Sequence, residues 1–166
     1  MTVLSILISL LFLQQPSVLD ALRQKATVEC VCVDYEYSTL LSGFKTVGNG
    51  SVEIQGNSYH MKGNGMEIYC DGSTTWLIDE IAQEVLIESA DTKEAGILAN
   101  PILLLMNLEE SSVTYEVKGD TVVLNLPDGT SLDIKINKML SAPFKKSEAF
   151  RPPTEFSGNW IVTDLR

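Results

Sequence analysis

The sequence predicts a mainly-β domain with a few helices, arranged as an up-and-down antiparallel sheet or barrel. Three observations carry this. From residue 27 onward apolar residues recur with a period of two, pairs built on Gly, Asn and Asp separate the runs, and one proline-centred apolar block interrupts them. The 166 residues suffice for one domain with a substantial core and are short for two. The formal net charge of -10 would repel a polyanion across most of the surface, so nucleic acid is not an expected partner.

Taken in order, the chain opens with an apolar run from Val3 to Leu13 that ends at Gln14-Gln15-Pro16. It is too short to span a bilayer, which takes ~20 residues, but matches the ~7 to 15 of a signal-peptide core. Residues 1–16 are therefore expected to be a signal peptide exporting a single domain, 17–166. No Lys or Arg precedes the run and small-residue cleavage positions are few, which leaves a buried N-terminal helix or strand as the alternative.

A helix is expected over residues 17–26. In "TVECVCVDYEY", Val31, Val33, Tyr35 and Tyr37 fall on one face and Asp34 and Glu36 on the other, the pattern of a half-buried strand. "SVEIQ", "SYHMK" and "MEIYC" repeat it with Val52 and Ile54, Tyr59 and Met61, and Met66, Ile68 and Cys70. Gly48-Asn49-Gly50, Gly56-Asn57, Gly63-Asn64-Gly65 and Asp71-Gly72 supply turns between them. The meander continues through "TTWLID", with Trp76 and Ile78, and "QEVLIE". It resumes in "VTYEVKGDTVVLNLPDGTSLDIKIN", turning at Lys118-Gly119-Asp120 and Pro127-Asp128-Gly129, for about eight strands in all. Residues 92–110 break the alternation and suggest two short helical pieces meeting at Asn100-Pro101. A last strand is expected at residues 160–163.

Residues suited to chemistry are few. His60 is the one histidine; it lies on the polar side of its strand, and no Gly-x-Ser-x-Gly elbow accompanies it, so enzymatic activity is not expected. Cys30, Cys32, Cys70 and His60 are zinc-type donors at the wrong spacing, and no cofactor or metal is called for. Cys30 and Cys32 alternate along one strand, where a mutual disulfide is geometrically poor; a bridge from one of them to Cys70 is more plausible. What remains is an apolar surplus on one sheet face: Val31, Val33, Tyr35, Tyr37, Val52, Ile54, Tyr59, Met61, Met66, Ile68, Trp76 and Ile78. So wide a face under so little helix either closes on itself as a packed core or keeps an apolar cavity.

Residues 50–108 resemble the LolA-like family of outer-membrane lipoprotein carriers, in particular the branch found in Bacteroidetes. The resemblance is carried by "GSVEIQGNSYHMKGNGMEIYCDGSTTWLIDEIAQEVLIES", by Asn100-Pro101 with Leu103-Leu104 after it, and by the terminal "DLR". It implies a curved antiparallel sheet forming an incomplete β-barrel closed by an α-helical lid. The twelve apolar residues named above would then line an acyl-chain cavity, and Ile97, Leu98, Pro101, Leu104 and Leu105 would form the lid. The implied function is a periplasmic carrier that shuttles lipoproteins, or another acylated ligand, from an inner-membrane lipoprotein-releasing transporter to an outer-membrane acceptor, acting as a monomer. A lipid-sensing or protein-interaction module of the same fold is the alternative. The proteobacterial carriers have an Arg-Pro pair, implicated in lid closure, where Gln55-Gly56 stand here, so a charge-assisted contact is replaced by a neutral amide.

Overall fold

The computed structural model describes residues 16–41, 43–90, 101–108, 112–153 and 155–166. The expected signal peptide, 1–15 of it, and the lid residues Ile97 and Leu98 lie outside the described residues.

Helix α1 (Val18–Val28) begins at a capping box, in which the Ser17 hydroxyl accepts from the Asp20 N–H and the Asp20 carboxylate accepts from the Ser17 N–H. The strands follow as β1 (Cys30–Leu41), β2 (Phe44–Gln55), β3 (Ser58–Gly63), β4 (Met66–Asp71), β5 (Thr74–Asp79) and β6 (Glu84–Ser89). After helix α2 (Pro101–Met106) come β7 (Thr114–Lys118), β8 (Thr121–Asn125), β9 (Ser131–Ala142), a 3-10 turn (Ser147–Phe150) and β10 (Ile161–Asp164). Among the described residues the ten strands form one open sheet in the order β10-β6-β5-β4-β3-β2-β1-β9-β8-β7. Neighbours are antiparallel except β10, which runs parallel to β6.

Most expected turns are found where Gly, Asn or Asp stood. Asn64 and Gly65 both take positive φ, as a tight hairpin requires. Gly48-Asn49-Gly50 is the exception, because it lies inside β2 rather than at a turn. Gly48 pairs with Tyr37 and Gly50 with Tyr35 across the ladder. A Cβ at Gly48 would sit 2.5 Å from the Tyr37 ring, and one at Gly50 2.6 Å from the Tyr35 hydroxyl. These glycines are gaps that two tyrosine rings fill.

The face carrying Val31, Val33, Val52, Ile54, Met61 and Ile68, here the inner face, packs against Leu19, Leu22 and Ala26 of α1 and Ile102 and Leu105 of α2. Val122, Leu124, Leu132 and Ile134 of β8 and β9 complete this core. A second, smaller cluster sits on the outer face: Tyr69, Ile78, Val85 and Ile87, covered by Trp76, Phe156 and Trp160.

Trp76 and Ile78 therefore do not share a face with Ile68, contrary to the sequence expectation. β4 and β5 are joined by the two residues Gly72 and Ser73, which pairs Tyr69 with Trp76 and Ile68 with Leu77. Directly paired residues share a face, so the inward position on β5 is Leu77. Trp76, Leu77 and Ile78 are all apolar, and only the turn length decides which of them faces inward.

The segment after β9 runs over the outer face. The Gln55 side chain pairs with the backbone of Lys145 like a strand neighbour: its amide donates to the carbonyl at 2.8 Å and its oxygen accepts from the N–H at 2.7 Å. Lys145 also bonds Glu53, and Arg151 bonds Asp71 at 2.7 Å. The position where the resemblance implies a lid-closing Arg thus holds the C-terminal segment instead.

Candidate functional site

Ligand sites form where apolar surface is left partly uncovered beside a few polar groups. Among the described residues, the inner core meets solvent in this way in a cleft of about 330 Å³ at the end of β2, β3 and β4 nearest the helices. Its floor is Ile54, Tyr59 and Cys70, one wall is Ala26 and Thr27 at the end of α1, and the other is Leu103, Met106 and Asn107. Gly56, Asn57, Gly72 and Ala90 form the rim.

Helix geometry explains how six residues of α2 serve both core and cleft. Ile102 and Leu105, three apart, are fully buried, while Leu103 and Met106, also three apart on an adjoining face, are half-buried and border the cleft. The helix is anchored by Arg23 of α1, whose Nε donates to the Leu105 carbonyl at 3.1 Å, a cation at a helix C-terminus. The end of α1 is fixed by the Gly56 N–H, which donates to the Ala26 carbonyl at 2.7 Å. Gly56 has a φ of 56°, a turn conformation that favours glycine.

The polar groups that the described residues bring to the cleft are amides, hydroxyls and a thiol. Burial pushes the Tyr59 hydroxyl up to about 12. The Cys70 thiol donates to the Asn57 carbonyl at 3.5 Å. Asp71, between the cleft residues Cys70 and Gly72, is bonded to Arg151, Ser73 and Thr74.

No family model matches this sequence, and no curated protein matches it.

Of the twelve residues expected to line a cavity, Ile54 and Tyr59 border the cleft. Val31, Val33, Tyr35, Val52, Met61 and Ile68 are 3% exposed or less and belong to the closed core, together with Tyr37. Met66 is half-buried near the β3–β4 turn, and Trp76 and Ile78 lie on the outer face. Pro101 and Leu105 are buried and Leu104 is half-buried. Leu103, Met106, Cys70 and Ala26 were not expected in the site; the i, i+3 pairs in "PILLLM" were the signal that α2 has two apolar faces.

The zinc-type donors are not brought together: Cys70 packs in the inner core, while His60 stacks on Tyr69 of the outer face, ring centroids 4.1 Å apart. All three cysteines are free. The expected bridge to Cys70 does not form because Cys30 and Cys32 alternate with the inward-facing Val31 and Val33, which turns their thiols to the other side of the sheet.

Proposed function

We propose that this domain is a carrier for acylated cargo, a LolA-like lipoprotein carrier of the periplasm. The observation that carries the reading is the cleft itself, where Leu103 and Met106 of a short helix stand over Ile54, Tyr59 and Cys70 of the sheet. Sheltering acyl chains from water is worth ~0.8 kcal/mol per methylene, so an apolar cleft opening from the core has a use for such a ligand. Transfer requires reversible binding, and in this reading α2 is the element that moves to admit and release the chain. In this reading the open sheet is an incomplete barrel and α2 is part of its lid. Cargo arrives from an inner-membrane transporter and leaves to an outer-membrane acceptor.

The test is co-elution in gel filtration of the purified full chain with a fluorescent peptide bearing an N-acylated, diacylglyceryl-modified cysteine. The expected result is a stable complex with the lipidated peptide, none with the unmodified peptide, and release to acceptor vesicles. Equal behaviour of the two peptides would remove the carrier reading. Retention without release would favour a lipid-sensing module.

A further inference from the structure

The outer face of β1 carries two thiols. Cys30 and Cys32 alternate with the inward-facing Val31 and Val33, so both side chains leave the sheet on the same side. Both are free; Cys30 is 0% exposed and Cys32 is half-buried. The Cys32 thiol donates to the Glu53 carboxylate at 3.8 Å. Burial pushes both thiols up, and the Lys145 ammonium, bonded to the same carboxylate, pulls both down.

Same-face neighbours on a strand stand about 6.5–7 Å apart along the chain. A disulfide needs its Cβ atoms at about 3.5–4.5 Å, so these two sulfurs are too far apart to join directly. An ion set between them asks for less approach. With metal–thiolate bonds of about 2.3 Å, the sulfurs of a linear pair stand roughly 4.6 Å apart. The geometry points to a site for one copper(I) ion, held in line between the Cys30 and Cys32 thiolates. Thiolate is the soft ligand that this ion prefers, and two of them satisfy it, whereas structural zinc takes four ligands. Cys70, the third cysteine, packs on the opposite face of the sheet. Among the described residues no group of three or more His, Cys, Asp and Glu side chains is placed to hold an ion, which fits a site of two ligands. Binding exchanges two protons for one cation: two S–H bonds break, two S–Cu bonds form, and both protons pass to solvent. Glu53 is the acceptor already in contact with the Cys32 proton. The bis-thiolate centre carries one negative charge, which the Lys145 ammonium offsets.

Titration of the reduced full chain with copper(I), under anaerobic conditions and against the chromophoric chelator bicinchoninate, tests the site. One ion per chain is expected to move to the protein. Cys32→Ser, at a half-buried position, should lose at least tenfold in copper affinity, and Cys30→Ser as much, while Cys70→Ser should match the parent. Copper should also raise the urea midpoint of the parent and not that of Cys32→Ser, since an ion held by the folded strand stabilises the fold. X-ray absorption of the loaded protein should show two sulfur neighbours. Copper left on the chelator, an equal loss in Cys70→Ser, an unmoved midpoint in the parent, or three or four neighbours around the ion would each overturn the two-thiolate site.

Discussion

Tyr37 lies across Gly48 and Tyr35 across Gly50 so closely that neither glycine can carry a side chain unless its tyrosine moves. Gly48→Ala should therefore destabilise the domain by about 1–3 kcal/mol through overpacking. In chemical denaturation the loss in the Gly48→Ala, Tyr37→Ala double variant should be smaller than the sum of the single losses. Asp71 shows a different residue-scale constraint. Burial opposes its charge, but hydrogen bonds from Ser73, Thr74 and Arg151 outweigh burial and hold the carboxyl at about 2. Because this lies below the unfolded value of ~3.9, the stabilisation is fully present above pH ~4 and fades as the pH falls toward about 2. Asp71→Asn should cost about 2 kcal/mol at neutral pH, and urea titrations at falling pH should show that deficit closing. Asp71-Gly72 was legible as a turn from sequence. Gly48-Asn49-Gly50 was misread as one, because a glycine opposite a tyrosine looks like a turn glycine until the register is known.

Among the elements, the segment after β9 shows how a few side chains hold a strand that makes its own ladder on one side only. Gln55 fastens it at Lys145, Asp71 at Arg151, and the outer cluster of Trp76, Phe156 and Trp160 seats it before β10 pairs with β6. Phe156 and Trp160 meet edge to face, with centroids 5.2 Å apart. Trp76→Ala should raise amide hydrogen exchange across residues 155–165 and lower stability by about 2–3 kcal/mol, at or just below the usual range for losing a buried aromatic. Acyl binding should be unchanged, since Trp76 is on the face away from the cleft. Strand positions from β3 to β8 were legible because period-two runs and turn residues alternate there. The face of β5 was not, since three consecutive apolar residues leave the choice to a two-residue turn. The parallel pairing of β10 was also hidden, because four residues of exposed strand carry no sign of their partner's direction.

At the level of the whole molecule, among the described residues, α1 and α2 cover the inner face of the sheet and border a cleft at the ends of β2 to β4. The mainly-β class was readable from periodicity and the helix at Pro101–Met106 from the proline and the apolar block after it; the helical piece expected before Asn100 lies outside the described residues. Where the cover stops was not readable, since a packed core and a cavity wall show the same alternating residues; most of the residues expected in the wall lie in the buried inner cluster. Replacing half-buried Leu103 with Asp puts a charge into the cleft while Ile102 and Leu105 keep α2 docked. That variant should lose at least tenfold in acyl affinity with an unchanged far-UV circular dichroism spectrum. Native mass spectrometry of the protein, expressed with its own N-terminus and recovered from a bacterial periplasm, separates a loaded carrier from an empty domain. A carrier is expected to be shortened at its N-terminus and to hold a co-purified acyl species that Leu103→Asp loses. An uncleaved chain with nothing bound, or the same bound mass in both proteins, would contradict the carrier reading.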